Sequence, residues 1–184
     1  MTRHTSQSAF VLHQWAWSET SLILDLLTRD AGRVTAVAKG AKRPYSQQRS
    51  VLLPFQRVLV SFGRQKSDDA SEVFTLRAAE YAGGAPMLPA GRLFSGFYLN
   101  ELLMKLVAKQ DAHPQLFDDY ADTLSAMAQA DDDGCEAALR AFELRLLRET
   151  GVLPELDRHT ATQQPLNPDA GYRSEERRVG KECA

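Results

Sequence analysis

The chain has few of the residues that staple a fold or carry out catalysis. Its 184 residues hold two cysteines, Cys135 and Cys183, far apart and outside any CxxC pair, which argues against a disulfide framework and a cysteine metal knuckle. Four histidines, His4, His13, His113 and His159, show no HExxH or other ligand spacing, and no acidic pair stands beside one in a catalytic motif. There is no GxxxxGKS/T loop for nucleotide phosphates and no GxSxG nucleophile elbow. No apolar run nears the roughly 18 residues of a membrane-spanning helix, and the first eight residues lack a signal-peptide core. These absences give the expectation of a cytoplasmic, non-enzymatic protein with no cofactor, no metal and no membrane attachment.

The composition present is ordinary for a folding chain, with 43% hydrophobic and 25% charged residues. The length suits one ordinary domain or two small ones. The net charge of −2 conceals an asymmetry: residues 1–81 carry +4, residues 82–172 carry −7 and the tail from Arg173 carries +1. Within residues 29–66, nine cations (Arg29, Arg33, Lys39, Lys42, Arg43, Arg49, Arg57, Arg64 and Lys66) face one acid, Asp30. Such a block can neutralise phosphates and release their counterions. Its bland counterpart is a solvated barrel surface, since Lys and Arg are mostly exposed in any protein.

Residues 9–17 and 21–28 are rich in β-branched, aromatic and leucine side chains, and Asp30-Ala31-Gly32 supplies a turn before residues 33–39, so a hairpin is expected. In its second arm Val34, Ala36 and Ala38 share one face, and Arg33, Thr35, Val37 and Lys39 share the other. Residues 40–50, GAKRPYSQQRS, read as an exposed basic loop. Residues 54–62 alternate, with Val58, Val60 and Phe62 on one side, and residues 73–81 supply a fifth strand beyond a polar turn at Asp68 and Asp69. Five short strands without an intervening helix pattern suggest a small closed barrel, either an OB-fold or an SH3-like barrel, and composition leaves both open.

Gly83, Gly84, Pro86 and Pro89 then break the period of two, which places a boundary after residue 81. Leu93, Phe94, Phe97, Tyr98, Leu102 and Leu106 recur at intervals of three and four, predicting an amphipathic helix over residues 90–109. A second helix should start near Pro114 and turn Leu116, Phe117, Tyr120, Leu124 and Met127 inward. A third follows Asp133, whose spacing to Glu136 resembles a capping box, and buries Leu139, Phe142, Leu146 and Leu147 before Gly151 and Pro154 stop it. The fold class expected is α+β: a five-stranded barrel over residues 1–81 and an α-helical domain over residues 82–172.

Residues 9–41, AFVLHQWAWSETSLILDLLTRDAGRVTAVAKGA, resemble the opening of the RecO family of recombination mediators in the segments WSETS, GRV and AKGA. LLPF at 52–55, YLNELL at 98–103 and ALRAFELRLL at 138–147 extend the likeness over nearly all of residues 9–153. The resemblance implies an amino-terminal OB-fold joined to a helical domain that is incomplete here at its C-terminus. It also implies binding of single- and double-stranded DNA, annealing of complementary strands, and work with RecR in gap repair. In that work RecA is helped to replace the single-strand DNA-binding protein, whose acidic, hydrophobic C-terminal tail docks on the helical domain. A cytoplasmic, nucleoid-associated location goes with it. Some RecO proteins carry a four-cysteine zinc site after the helices. Residues 156–173 here, LDRHTATQQPLNPDAGYR, have no cysteine, and His159 alone cannot build a tetrahedral site. Residues 173–183, RSEERRVGKEC, are the in-frame translation of a common sequencing adaptor, so native sequence is expected to stop near Tyr172 and residues 173–184 to be an artefactual tail.

The candidate DNA-binding residues are Arg33, Lys39, Lys42, Arg43, Tyr45, Arg49, Arg57 and Arg64. The loop positions rank above strand positions such as Arg57, which can turn away from a groove or pair with an acid. Of the aromatics among these charges, Trp15, Trp17 and Phe62 read as core, while Tyr45 reads either as a base-stacking ring or as a solvated loop residue. Phe97, Leu102, Phe142 and Leu146 read as helical core from their spacing. Arg140, Arg145 and Arg148 beside Phe142 form a candidate clamp for the partner's acidic, aromatic-ended tail. The competing reading is an interaction adaptor for RecR or the single-strand DNA-binding protein with little independent grip on DNA.

Overall fold

In the computed structural model, which describes residues 6–63, 73–83, 87–153, 157–158, 162 and 164–167, the first half of the chain is a barrel. Its strands are β1 Gln7–Ala16, β2 Leu22–Thr28, β3 Gly32–Ala38, β4 Arg57–Phe62 and β5 Val73–Tyr81, with a one-turn helix α1 Gln48–Val51 between β3 and β4. The strands run β1-β2-β3-β5-β4 around the barrel, and β4 returns to β1. Every neighbouring pair is antiparallel except β3 and β5, which pair in parallel. That order with its single parallel seam is the OB-fold, which decides between the two barrels left open by composition.

The period of two produces the barrel interior. Ala9, Val11, Leu24, Leu26, Val34, Ala36, Ala38, Leu52, Val58, Val60 and Leu76 are buried together there, and the alanines leave room for opposing walls to approach. Phe62 follows a register shift in β4 and packs half-buried against Phe74, with ring centroids 5.3 Å apart, at the edge of this core.

Beyond a 3-10 turn at Ala90–Arg92 come α2 Leu93–Leu106, α3 Pro114–Gln129 and α4 Asp132–Glu149. Their core is continuous with the outside of the barrel: Phe10, Leu12 and Leu27 are buried in one cluster with Leu99, Leu103, Leu116, Phe117, Tyr120, Phe142 and Leu146. Phe10 meets Tyr120 edge-on at 5.0 Å and lies 5.1 Å from Phe117. The buried Tyr120 hydroxyl donates to Asn100 Oδ1, and Asn100 Nδ2 donates to the Leu12 carbonyl at 2.8 Å. Burial pushes the Tyr120 hydroxyl well above the ordinary tyrosine range, so it remains a donor.

In α3 the expected stripe of Leu116, Phe117, Tyr120, Leu124 and Met127 is buried throughout. In α4 Phe142 and Leu146 are buried, while Leu139 and Leu147 are half-buried. The cap of α4 is Asp131, which accepts from the Gly134 amide at 2.9 Å, rather than Asp133, because the helix begins at Asp132. At its end, Gly151 N–H donates to Arg148 O and Val152 N–H to Leu147 O, a Schellman arrangement.

The inward face of α2 is not the expected one. Gly96, Leu99, Asn100 and Leu103 are buried, whereas Phe94 is 87% and Phe97 46% exposed, with Leu93, Tyr98 and Leu106 also partly in solvent and Leu102 half-buried. The helix is apolar on nearly every side, so three- and four-residue spacing selects no unique stripe. Two weakly hydrophobic positions choose the face instead. Asn100 turns in to make its two hydrogen bonds, and at Gly96 a Cβ would stand 2.6 Å from Leu88 Cδ1 and 2.9 Å from the Phe55 ring. The helix stops at Leu106, short of residue 109, because Val107 is already extended.

The chain after α2 is laid against the β2–β3 turn. Gln110 N–H donates to the Arg33 carbonyl at 2.8 Å, and Gly32, at φ 68°, leaves no room for a side chain against the Asp111 backbone. Replacing Gly32 with Ala should destabilise the protein by about 2 kcal/mol or more, through left-handed strain plus the clash, read as a lower denaturant midpoint. Tyr120→Phe keeps the ring but leaves Asn100 Oδ1 without its donor, and should cost about 1–3 kcal/mol in the same measurement.

Candidate nucleic-acid interface

The basic block separates into two groups once folded. Arg29, Arg33 and Arg57 lie where the barrel meets the helices. Arg29 makes a two-point pair with Asp118, Nε to Oδ1 at 3.2 Å and Nη2 to Oδ2 at 2.9 Å. The Arg29 hydrogen bond holds the Asp118 carboxyl below the usual carboxylate range against the opposing pull of burial, and the Arg29 guanidinium is itself held up by Asp118. Arg33 Nη1 donates to the Met104 carbonyl near the C-terminal end of α2, where the helix dipole favours a cation. Arg57 sits 5.8 Å from the centroid of the Phe117 ring and donates to Ser8 Oγ at 3.3 Å. Arg33 and Arg57, both expected to contact DNA, are therefore half-buried in the joint, because the helices cover the outer face of β3 and β4 at this end. Arg64 and Lys66 lie outside the described residues, as do Asp68, Asp69, Gly84, Pro86, Pro154, His159, Tyr172 and the stretch 173–184.

The second group occupies the opposite rim. Lys39, Arg43 and Arg49 are exposed with no carboxylate partner among the described residues, and Tyr45 is 98% exposed between them. Lys42 is half-buried. Its amide donates to Thr20 O at 2.9 Å and its Nζ to Ser18 O at 3.0 Å, which fastens the basic loop to the β1–β2 turn. One acid, Glu19, stands exposed in that turn.

Cross-strand partners share a face of a sheet, so the register Trp15↔Ile23, Ile23↔Val37 and Val37↔Thr75 sets one row across the outside of four strands. The neighbouring row is His13, Asp25 and Thr35, with Thr35 Oγ1 donating to Asp25 at 2.8 Å. Trp15 is 39% and Trp17 65% exposed. Both were expected in the core. They stand outside because β1 runs past the region covered by the helices, so its outward positions are buried at Phe10 and Leu12 and open at His13 and Trp15. Sequence reasoning gave no role to Arg77, which is exposed on β5 beside Gly63.

The model of the Recombination protein O N-terminal family matches residues 1–81, and that of the Recombination protein O C-terminal family matches residues 90–184. The chain belongs to the RecO family. Curated relatives include the DNA repair protein RecO of Polaromonas sp. strain JS666, 51% identical over 166 residues, covering 90% of this chain and 65% of that protein. The RecO of Polaromonas naphthalenivorans is 50% identical over 170 residues, covering 92% of this chain and 66% of its own length. That of Ralstonia nicotianae is 49% identical over 172 residues, covering 92% and 60%. The chain thus spans somewhat less than two thirds of these RecO relatives.

On the helical side of this RecO chain lie the residues of the expected clamp. Phe142 is fully buried against Tyr120, with ring centroids 6.1 Å apart, and offers no surface to a ligand. Helical geometry turns it inward while Arg140, Arg145 and Arg148 project outward. Arg140 Nη1 already meets Glu143 at 2.7 Å, and Arg145 lies 3.5 Å from Asp119. Burial pushes the Glu143 carboxyl up, but hydrogen bonds from the Tyr98 hydroxyl and Arg140 outweigh it and hold the group below its ordinary range. Elsewhere, an apolar cavity of about 230 Å³ opens at the joint, lined by Leu53, Phe55, Tyr81, Met87 and Phe97 with Arg57. Among the described residues no helix is long and apolar enough to cross a membrane.

The depressed Asp118 carboxyl stabilises the folded state at pH values above the ordinary carboxylate range, and that contribution is lost as pH falls through the lower folded value. Both partners of the pair are nearly half exposed, so the effect is screened. Asp118→Asn should melt modestly lower than wild type at pH 7, with the difference shrinking as pH drops below about 4 and as salt rises. Thermal melts at pH 3 and pH 7 check this.

Proposed function

We propose that this chain is the DNA-gripping part of a recombination mediator; its RecO relatives are named as DNA repair proteins. The observation that carries the reading is the rim of the OB barrel, where Lys39, Lys42, Arg43 and Arg49 flank an almost fully exposed Tyr45 along the chain. Cations on a loop bind phosphates without reading sequence, which suits a protein that must act at any gap in single- or double-stranded DNA. Neutralising phosphate repulsion between two bound strands is also what annealing of complementary strands requires. Residues 1–81 form the DNA-binding domain in this reading, and residues 82–172 the platform for protein partners. Those partners are RecR, and the C-terminal tail of the single-strand DNA-binding protein, from which RecA takes over the DNA. The tail's acidic residues would meet Arg140, Arg145 and Arg148 by charge, with Phe142 serving the helical core. The protein acts by binding rather than by catalysis, in the cytoplasm and associated with the nucleoid.

Titrating labelled single-stranded and duplex DNA by fluorescence anisotropy at several salt concentrations tests the assignment. A Lys39→Ala/Arg43→Ala/Arg49→Ala variant should bind both forms more weakly, and the slope of log affinity against log salt should fall by about one for each phosphate contact removed. Lys42 is left intact because it also holds the β1–β2 turn. An unchanged slope and affinity would remove this rim from the interface.

A further inference from the structure

We infer that Trp15 and Trp17 form a stacking platform for unpaired bases, and that these two residues, rather than the loop cations, decide between single-stranded and duplex DNA. The inference rests on the DNA-binding reading above and assigns the discrimination within that site.

Two of the largest apolar side chains in the protein are exposed at the turn end of the β1–β2 hairpin, Trp17 more than Trp15, although the same strand buries Phe10 and Leu12 a few residues earlier. The backbone that carries them is held in place. The Trp17 amide donates to Ser21 O at 3.0 Å, Ser18 Oγ accepts from the Ser21 amide at 3.2 Å, and Lys42 grips the same turn through the carbonyls of Ser18 and Thr20. Trp15 lies in the sheet row with Ile23 and Val37, and the His13 ring is 5.3 Å from its own at 36°. An aromatic surface fixed before binding loses little conformational freedom when a base lands on it. The phosphates of that strand then fall beside the neighbouring loop of Lys39, Arg43 and Arg49. Aromatic rings with an adjacent cationic track are what an unpaired strand requires, because every base has a π-face to stack. In a duplex those faces are occupied by neighbouring bases, so duplex DNA engages the cations alone.

The chain's two tryptophans are Trp15 and Trp17, so intrinsic tryptophan emission reports on the platform without a label. Titration of the full chain with oligo(dT) should quench that emission in step with binding measured by anisotropy, while saturating duplex DNA changes it little. Removing a base–aromatic stack costs roughly 5- to 150-fold in affinity. Trp15→Ala/Trp17→Ala should accordingly lose at least about tenfold for oligo(dT) and retain duplex affinity within about twofold, whereas Trp15→Phe/Trp17→Phe should keep most of the single-strand affinity. Both tryptophans are exposed, and a circular dichroism melt matching wild type establishes that the variants fold. Equal losses for both DNA forms in folded variants, or single-strand binding with unaltered emission, would overturn the platform while leaving the DNA-binding reading standing. Absence of binding to either form by the wild-type chain would overturn both.

Discussion

Phe10, Leu12 and Leu27 point outward from a barrel whose interior is already filled by their neighbours Ala9, Val11 and Leu26. A barrel wall that is apolar on both faces cannot stand in water, so the helical domain is needed to complete it. Burying each such side chain contributes about 1.5–3 kcal/mol. Three together supply an amount comparable to the net stability of an average domain. The Arg29–Asp118 pair at the same joint is nearly half exposed on both sides, where solvent screening leaves an ion pair little to add. Apolar burial therefore holds the two halves together, and the polar contacts set their register. The line from Tyr120 through Asn100 to the Leu12 carbonyl admits one seating of α2 and α3 on β1.

That seating sorts the cations. Arg33 lies near the start of β3 and Lys39 just past its end, six positions apart, or about 20 Å. The first is capped by the end of α2 and the second stands in solvent. The basic block is a single feature of the sequence but two features of the molecule, a mortar for the joint and a rim facing outward. The acidic balance of residues 82–172 adds direction, since a surface of net charge −7 repels phosphate from the helical side and favours its approach to the rim.

The parts of the fold that could be read from the chain were those where polarity alternates cleanly. β3 turns Val34, Ala36 and Ala38 inward as its alternation requires, and α3 buries the stripe its period requires, because polar residues and small alanines fill the remaining positions. α2 could not be read this way. With apolar residues on nearly all sides, its orientation is settled by Gly96 and Asn100, through close approach and hydrogen bonding to residues that are distant in sequence. The same lack of long-range information left Trp15 and Trp17 read as core and left Phe142 with two readings, as helical core and as part of the clamp. Two bulky aromatics expected inside stand outside, and one expected to help receive a ligand is fully buried.

The sequence by itself determined the strands, the helices and the concentration of positive charge, since each depends on neighbours within a few residues. Tertiary structure alone decided which end of the barrel stays open, which arginines are consumed in the joint and which aromatics remain in water. Those outcomes depend on which surfaces cover one another, and coverage is set by the packing of segments some ninety residues apart, as Arg29 and Asp118 are. No local period records that choice.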